Sequence, residues 1–515
     1  MTQQAKKLAH LLTELEAAEL QGEAGVEVRG LTTDSRRVEP GWLFAALPGQ
    51  RSDGHSFVAQ AVERGASAVL VSEPTRGVRP PAVVMVDDVA ASLARLAGAF
   101  TDHPSRQLEL IGITGTNGKT TLTYLIEAIF ARAGRRPGII GTVDIRYGDH
   151  TEHSPHTTPQ APELHALLRR MVAAGADVAA MEVSSHALAL QRVRGVHFRA
   201  AVFTNLSRDH LDFHGDLERY AAAKALLFER ELRESRAADR LAVINIDDAH
   251  ARQVVAGWDG RTVRYGLSGR GDVFPTGQPR WGLDGIRAQL HTPAGPVAVH
   301  SALIGRHNLE NLTAAAAVAW ALGTPAEAIA AGLQDCQRIP GRLERVVGPI
   351  DGPAVFVDYA HTDQALVNVL ATLGPLTRGR LLVVFGCGGD RDRGKRPLMA
   401  EAVAHGAGLA VVTSDNPRTE DPRAIIAEVV PGLTGQGWQQ LEPAALRDAA
   451  QAFCIEPDRR AAIRLALAVA RPEDVVLVAG KGHETYQLLG DRVLDFDDRI
   501  EARRALELRS GGAVE

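Results

Sequence analysis

Residues 108–134 read LELIGITGTNGKTTLTYLIEAIFARAG, and this stretch decides the fold. Its apolar start, LIGIT, has the length and composition of a buried strand, and LTYLIEAIFARAG has a helical pattern. A glycine-rich turn between a strand and a helix exposes backbone N–H groups that can bind phosphate oxygens. The turn consists of Gly115, Thr116, Asn117, Gly118, Lys119, Thr120 and Thr121.

This turn is a short variant, G-x-x-G-K-T-T, of the strict G-x-x-x-x-G-K-[ST] phosphate loop, since Ile113 stands five residues before Gly118. In such loops the lysine reaches the β- and γ-phosphates and the hydroxyl after it binds Mg²⁺. We therefore expect Lys119 to contact phosphate and Thr120 to bind Mg²⁺. A structural turn with a chance lysine is the alternative, and the flanking strand and helix argue against it.

The composition narrows the class of protein. The chain has 515 residues, a net charge of −5, 45% hydrophobic and 23% charged residues. This predicts an ordered protein of about three domains and argues against a dedicated nucleic-acid binder. No apolar run approaches the ~20 residues of a membrane helix, and neither a signal peptide nor a disulfide framework is expected. We expect a cytoplasmic protein.

Strand-like runs alternate with helical patterns, which predicts an α/β fold with parallel sheets. We expect three domains, at residues 1–105, 106–338 and 339–515. Residues 260–305 look like small antiparallel strands instead. The third domain is predicted to be doubly wound, with its ligand site at the carboxyl ends of the strands. Its strand runs are AVFVDYAH, LLVVFGCGG, LAVVTSDNP and DVVLVAGKG.

Two strand ends in the second domain carry further polar side chains, in MEVSSH and TNLSRDHLD. Glu182 supplies a carboxylate, and a phosphate-bridging Mg²⁺ needs only one or two protein oxygens. His210 is an unusual Mg²⁺ ligand, so its chemistry alone favours a hydrogen-bonding role. Lys224, on a helical stretch, is by itself best interpreted as a solvated surface lysine.

GTNGKTT resembles the ATP loop of the Mur ligases and the folylpolyglutamate synthetases, which activate a carboxylate as an acyl phosphate and form an amide. MEVSSH, TNLSRDHLDFHGD, FGCGGDRDRGKRP, DNPR and GKGHE extend the resemblance to the Mur ligases over nearly the whole chain. It implies three domains, with a central P-loop-type, mostly parallel sheet and a C-terminal Rossmann-like domain. It also implies a monomer that acts on small molecules, with no nucleic-acid or membrane partner.

The resemblance assigns roles around ATP and Mg²⁺. It implies that Glu182 and His210 hold Mg²⁺ with Thr120, and that Lys224 is carbamylated to N6-carboxylysine and holds a second Mg²⁺. Lys119, His210 and Lys224 would be catalytic. The remaining ATP contacts would be Asn311 near adenine, Arg342 at the phosphates, Asp358 at the ribose, and His361. An N-capping role for the neighbouring Asn308 or Asn311 is also open.

Substrate selection would come from other stretches. The resemblance implies a first-domain cradle for a UDP-muramoyl dipeptide, although each stretch alone could be a surface turn. The cradle residues would be Thr33, Ser35, Gln50, Arg51 and Ser52, and the muramoyl peptide would contact Thr157, Thr158, Ser184 and Arg192 of the second domain. Leu190 and His156 stand where some relatives have Gln and Asn.

An arginine on a rigid Asn-Pro turn can bind a carboxylate bidentately. meso-Diaminopimelate has a second carboxylate and lysine and ornithine do not, so Arg418 favours diaminopimelate; a surface salt bridge is the structural alternative. Glu484 would pair with an ammonium group. The full implied set is Arg391, Asp415, Asn416, Pro417, Arg418, Gly480 and Glu484.

Together these motifs predict a cell-wall enzyme. It would add meso-2,6-diaminopimelate to UDP-N-acetylmuramoyl-L-alanyl-D-glutamate through an acyl phosphate and release ADP and phosphate. Three alternatives stay open: the same ligase using L-lysine or L-ornithine, a folylpolyglutamate synthetase-like ligase, and a nucleotide switch without ligase activity. A guanine-reading N-K-x-D element, common in such switches, is absent from the sequence.

Overall fold

The computed structural model describes residues 5–49, 53–75, 77–154, 156–348 and 352–511. The chain folds into two compact units. Unit 1 comprises Met1–Gly277, Gln289–Ala298 and Glu310–Leu333, and unit 2 comprises Gln278–Ala288, Val299–Leu309 and Gln334–Glu515. Within the described ranges, no helix is long and apolar enough to cross a membrane.

The first sheet of unit 1 has five strands in the order β2-β7-β6-β5-β4. Strands β4 to β7 are parallel, and β2 is antiparallel to β7. Apolar residues pack on both faces of the sheet. Including β1 and β3, which lie outside this sheet, the strands of this part of the chain are β1 Lys6–Lys7, β2 Glu19–Gly22, β3 Glu27–Val28, β4 Gly30–Thr32, β5 Trp42–Ala45, β6 Ala68–Val71 and β7 Ala82–Met85. The helices are α1 Leu8–Leu12, α2 Val58–Glu63 and α3 Val89–Phe100.

The second sheet of unit 1 has eight strands in the order β11-β10-β9-β12-β8-β13-β14-β15. All neighbouring pairs from β9 to β15 are parallel, and β10 and β11 add an antiparallel edge. The strands are β8 Glu109–Thr114, β9 Pro137–Ile140, β10 Asp144–Tyr147, β11 His150–His153, β12 Val178–Glu182, β13 Ala200–Phe203, β14 Leu241–Asn245 and β15 Arg261–Tyr265. The helices are α4 Lys119–Arg132, α5 Ala161–Ala173, α6 Ser185–Ala189, α7 Leu211–His214, α8 Leu217–Leu226 and α9 Ala251–Val254.

This sheet positions the predicted site. Strands β12, β8 and β13 are neighbours and parallel, so their carboxyl ends meet at one edge. The glycine-rich loop follows β8, Glu182 ends β12, and Thr204 follows β13. One expectation for this region is wrong: residues 261–265 do not form a small antiparallel strand, because β15 extends the large sheet in parallel with β14.

A three-stranded sheet in the order β16-β17-β18 follows in the chain. Two helices come after it. The elements are β16 Phe274–Gly282, β17 Gly285–His291, β18 Val297–Ser301, α10 Arg306–Ala321 and α11 Ala326–Asp335.

Unit 2 contains a seven-stranded sheet in the order β19-β20-β25-β21-β22-β24-β23. It is parallel except for the edge strand β19, and apolar helix faces cover both sides, as predicted for a doubly wound domain. Including β26 and β27, which lie outside this sheet, the strands of this part of the chain are β19 Glu344–Val346, β20 Ala354–Asp358, β21 Leu381–Phe385, β22 Leu409–Val412, β23 Gln439–Gln440, β24 Ala452–Ile455, β25 Val475–Ala479, β26 Tyr486–Leu489 and β27 Arg492–Asp495. The helices are α12 Asp363–Leu373, α13 Lys395–Gly406, α14 Pro422–Thr434, α15 Arg459–Val469 and α16 Asp498–Gly511.

Candidate active site

The glycine-rich loop between β8 and α4 has the backbone of a phosphate loop. Gly115 and Gly118 have φ angles of +147° and +87°, which residues other than glycine rarely adopt. A Cβ atom at Gly115 would collide with Thr204 Oγ1. The Lys119 ammonium donates to the carbonyl oxygens of Gly115 and Thr116, over 2.8 Å each, and therefore lies against the loop.

Residues after β13 brace this loop. Thr204 Oγ1 donates to the Asn117 carbonyl over 2.7 Å, and Asn117 N donates to Asn205 Oδ1 over 2.9 Å. Asn311, on α10, lies so close to Gly118 that a Cβ there would meet its Oδ1. The sequence analysis gave Thr204 and Asn205 no role, although both stand in TNLSRDHLD at a strand end.

Glu182 is the buried carboxylate of the site, with 1% of its surface exposed. Its Oε1 accepts from Thr120 Oγ1 over 2.9 Å and from Thr142 N over 2.7 Å. Its Oε2 accepts from Thr142 Oγ1 over 3.1 Å. The predicted pair of Thr120 and Glu182 is therefore in contact. Thr142 is a residue that the sequence analysis missed, because it follows a short strand without a distinctive pattern.

A chain of hydrogen bonds links Glu182 to the residues expected at the dipeptide substrate. Thr142 Oγ1 lies 3.0 Å from Thr157 Oγ1. Thr158 Oγ1 donates to the Glu182 carbonyl over 2.8 Å and accepts from Ser184 N over 3.1 Å. Arg192 Nη1 donates to the Thr158 carbonyl over 3.1 Å. The structure thus links four of the expected substrate residues to Glu182 through hydrogen bonds.

The other expected substrate residues lie in the first sheet region. Ser35 is buried and donates its hydroxyl to Gln60 Oε1 over 2.6 Å, and Thr33 is half-buried near the end of β4. Gln50, Arg51 and Ser52 lie outside the described residues.

Lys224 is buried, with 1% of its surface exposed, so its interpretation as a solvated lysine is wrong. Its ammonium group donates to the Gly115 carbonyl over 2.9 Å and lies 4.3 Å from the centre of the Tyr220 ring. Burial lowers the pKa of Lys224 well below its usual value, and Lys119 lowers it further, while Asp209 opposes the shift. The side chain is therefore disposed to be a neutral amine beside the phosphate loop.

The ring of His210 also lies near Tyr220, at 6.2 Å between ring centres. It is exposed, has a φ of +52°, and its Nε2 lies 3.5 Å from Asp209 Oδ2. Partial desolvation of the ring by its neighbours lowers the pKa of His210, and the Asp209 carboxylate opposes this. Within the described ranges, no three His, Cys, Asp or Glu side chains form a ready metal site.

The expected ATP residues of unit 2 lie at the carboxyl end of β20 and just before β19. The Arg342 guanidinium stacks 5.3 Å from the centre of the Tyr359 ring. The buried Asp358 carboxylate accepts from the backbone N–H groups of Leu343 and Ala360, over 2.7 and 2.8 Å. His361 is exposed, and its Nδ1 lies 2.8 Å from the Tyr359 carbonyl oxygen.

The loop after β22 holds the expected carboxylate-binding arginine. Arg418 has a φ of +52°, and its Nη1 donates to the Gly389 carbonyl over 2.7 Å. Among the described residues, no acid side chain forms an ion pair with Arg418. Arg391 is exposed and belongs to the loop that provides Gly389. The guanidinium of Arg418 is therefore free to bind a carboxylate from outside the protein.

The loop after β25 faces this arginine loop. Glu484 Oε2 accepts from Asn416 Nδ2 over 2.8 Å and from the buried Lys481 ammonium over 2.9 Å. The Lys481 ammonium also donates to Asn416 Oδ1 over 3.1 Å. Asp415 Oδ2 is buried without a hydrogen-bond partner among the described residues. A Cβ at Gly480 would lie 2.5 Å from this oxygen, so the position requires glycine.

The fold and these loops define an α/β nucleotide-binding enzyme with a phosphate loop at the edge of a parallel sheet and a second, doubly wound unit for another ligand. Three family models match the chain: the Mur ligase family catalytic domain at residues 27–101, the Mur ligase middle domain at 113–319, and the Mur ligase glutamate ligase domain at 341–482. The chain belongs to the Mur ligase family and is an ATP-dependent, amide-forming ligase.

Curated relatives and a solved structure agree with this membership. The UDP-N-acetylmuramoyl-L-alanyl-D-glutamate–2,6-diaminopimelate ligase of Geobacter metallireducens is 46% identical, over 98% of this chain and 99% of its own. The enzyme of the same name from Gloeobacter violaceus is 48% identical, over 94% and 95%. A solved structure of an enzyme of that name is 34% identical and superposes with a TM-score of 0.68, covering 97% of this chain and 99% of its own.

Proposed function

We propose that the chain joins meso-2,6-diaminopimelate to UDP-N-acetylmuramoyl-L-alanyl-D-glutamate, with hydrolysis of ATP to ADP and phosphate, in the synthesis of peptidoglycan precursors. The observation that carries the proposal is the half-buried Arg418 guanidinium, which has no acid partner among the described residues. It suits the extra carboxylate of diaminopimelate, which lysine and ornithine lack. The similarity to ligases named for this substrate supports the same choice.

The donor set beside the phosphate loop fits Mg²⁺. Thr120 Oγ1 and Glu182 Oε1 are oxygen ligands 2.9 Å apart. Neighbouring ligands of an octahedral ion with bonds of about 2.1 Å are separated by about 3.0 Å. We propose that these two residues hold Mg²⁺ together with His210, and that a carbamylated Lys224 holds a second ion. Bound there, Mg²⁺ would offset the negative charge of the phosphates during transfer.

In the proposed mechanism, side chains of this protein stabilise the transferring phosphoryl group and orient the substrates. The D-glutamate γ-carboxylate attacks the γ-phosphorus of ATP, ADP leaves, and an acyl phosphate forms. The Lys119 ammonium stabilises the charge on the transferring phosphoryl group. The amine of diaminopimelate then attacks the acyl carbon and loses a proton, and phosphate leaves as the amide forms. We propose that Thr157, Thr158, Ser184 and Arg192 orient the muramoyl peptide near Glu182.

The other assignments remain proposals with separate support. We propose contacts of Asn311, Arg342, Asp358 and His361 with ATP, and of the first-domain residues, including Gln50, Arg51 and Ser52, with the uridine nucleotide. Domain borders near residues 105 and 338 fall between the segments that the family models match. We propose a monomer, and a cytoplasmic location because ATP and a nucleotide-linked sugar peptide are cytoplasmic compounds.

Phosphate release from ATP tests the proposal. The purified chain is incubated with UDP-N-acetylmuramoyl-L-alanyl-D-glutamate and, in parallel, meso-diaminopimelate, L-lysine or L-ornithine, and the product mass is measured. We expect release and a tripeptide product with diaminopimelate alone. Release with lysine or ornithine instead would keep the ligase and overturn the proposed amino acid. Release that needs no amino acid would favour a nucleotide switch, and activity on folates with glutamate would favour the folylpolyglutamate alternative.

A further inference from the structure

Two loops of unit 2 carry the proposed amino-acid site. One follows β22 and contains Asp415–Arg418, and the other follows β25 and contains Gly480–Glu484. Strand β21 lies between β22 and β25 in the sheet, so no backbone hydrogen bonds pair these two strands. The backbone of Arg418 is hydrogen-bonded to Leu488 and Gly490, beyond the second loop, over 3.1 and 2.6 Å. At the bases of the loops, only side chains that reach across the end of β21 can connect them.

Arg459, the first residue of α15, makes such a connection. Its side chain is fully buried. Nη2 donates to the carbonyl of Ala479 over 2.9 Å, and Nη1 lies 3.4 Å from the carbonyl of Ser414. Ala479 and Ser414 directly precede Gly480 and Asp415. One planar guanidinium thus binds the backbone at the base of both loops.

Asp498, the first residue of α16, fixes the orientation of this guanidinium. Its Oδ1 accepts from Arg459 Nε over 2.8 Å and its Oδ2 accepts from Nη2 over 2.7 Å. Burial opposes the charge of Arg459, but the Asp498 carboxylate, with Asp415 and Glu484 adding to it, raises the pKa of Arg459. A buried ion pair is by itself weak evidence for stability, because both charges lose their hydration.

We propose that Arg459, oriented by Asp498, is a positioning residue that sets the distance between the carboxylate-binding loop and the ammonium-binding loop. Two features support this role over a purely structural one. The guanidinium directs two of its three remaining N–H groups to the two loop bases. It also lies 3.8 Å from the position of a Cβ at Gly480, next to the unpartnered oxygen of Asp415.

This inference rests on the proposed function and extends it to the length of the amino acid. Diaminopimelate would engage Arg418 on one loop and Glu484 on the other, so its binding depends on the loop separation. An amino acid without the distal carboxylate would engage Arg418 little. A change in the loop separation should therefore weaken the binding of diaminopimelate more than the binding of lysine.

The test replaces Arg459 by lysine, which keeps the positive charge but loses the planar fork. The matched control is Arg380→Lys, because Arg380 forms a similar ion pair with Asp474, at 2.8 Å, before the first residues of β21 and β25. That pair lies at the opposite ends of the strands. KM and kcat are measured for diaminopimelate, ATP and the UDP-muramoyl dipeptide, together with the thermal midpoint.

We expect Arg459→Lys to raise KM for diaminopimelate at least tenfold, since displacements of about 1 Å in a site can cost about 100-fold. KM for ATP should stay within twofold, and Arg380→Lys should leave all three KM values within twofold. An unchanged KM for diaminopimelate in a folded Arg459→Lys variant would overturn the inference, since the contacts of Asn416 with Glu484 and Lys481 would then suffice to hold the loops. An equal effect of Arg380→Lys would also overturn it.

A second variant separates positioning from stability. Replacing a buried ion pair by apolar residues of similar size is often neutral for stability. The double substitution Arg459→Met with Asp498→Leu should therefore keep a near-normal thermal midpoint and still raise KM for diaminopimelate at least tenfold. A normal KM in that variant would refute the positioning role. A wild-type chain that adds no amino acid would instead refute the proposed function.

Discussion

Thr142 binds both carboxylate oxygens of Glu182. Its backbone N–H donates to Oε1 over 2.7 Å, and its hydroxyl donates to Oε2 over 3.1 Å. The same hydroxyl lies 3.0 Å from Thr157 Oγ1. One residue therefore orients the carboxylate proposed to hold Mg²⁺ and contacts a threonine proposed to hold the muramoyl peptide. Hydrogen bonds from neighbouring residues to a metal-binding carboxylate commonly tune its metal affinity.

Thr142→Val should weaken the binding of Mg²⁺. Valine keeps the shape and the backbone N–H but loses the hydroxyl, and a hydrogen bond to a charged group is worth about 1.5–3 kcal/mol. We expect the half-saturating Mg²⁺ concentration to rise about tenfold, measured both by phosphate release and by calorimetric titration of Mg²⁺ with ADP. Thr142→Ser, which retains the hydroxyl, should stay within twofold. Equal Mg²⁺ dependence in Thr142→Val and wild type would contradict this role.

Activity should depend on a carboxylate group attached to the Lys224 side chain, and not on the positive charge of its ammonium group. Burial, followed by the charge of Lys119, lowers the pKa of Lys224, which favours the neutral amine that reacts with CO₂. We expect Lys224→Ala to lose at least 100-fold in kcat, and added formate or acetate to restore part of it. Lys119→Ala supplies the control, since a lost ammonium cannot be replaced by a carboxylate. Rescue of both variants, or of neither, would count against carbamylation.

Arg418 should discriminate between amino acids. Its guanidinium donates to the Gly389 carbonyl and has no acid partner among the described residues. Arg418→Ala should raise KM for meso-diaminopimelate at least 100-fold, since a charge-assisted bidentate contact is lost. The exposed Arg423, the second residue of α14, offers a control in the Arg423→Ala variant. Similar losses for both variants would show that charge near the site, not a specific contact, decides binding.

The sequence predicted central strands of the eight-stranded and the seven-stranded sheets correctly. Buried parallel strands appear as continuous apolar runs, as in ELIGIT, VAAME and VVLVA. The turn after ELIGIT was also predicted, because glycines with positive φ and the helix after them leave a recognisable pattern. The family resemblance then gave the residues, and the structure brings Thr120 and Glu182 together as that expectation requires.

Other features could not be predicted from the sequence. Lys224 has no local signal of burial, because a helical pattern of alanines does not reveal which face packs against the loop. The pairing of Arg459 with Asp498 joins residues 39 positions apart. Arg261–Tyr265 is mostly exposed and polar, so its parallel pairing with β14 depends on the edge of the sheet and not on its own residues.

His165 should make the protein sensitive to acid. Its side chain is fully buried on α5, and neither ring nitrogen has a hydrogen-bond partner in the described part of the chain. Burial, with a smaller effect of His103 and His197, lowers the pKa of His165 to about 3. Between pH 6.5 and about 3, the unfolded chain therefore binds a proton that the folded chain excludes, and stability falls as the pH falls through this window.

His165→Leu should remove this part of the acid sensitivity. A histidine that is protonated only in the unfolded chain costs about 2 kcal/mol of stability between pH 7 and pH 5. We expect the thermal midpoint of His165→Leu to fall about 2 °C less than that of the wild type over this range. The exposed His405 provides the control, because His405→Gln should reproduce the wild-type pH profile. If the profile of His165→Leu runs parallel to that of the wild type, another buried group causes the acid sensitivity.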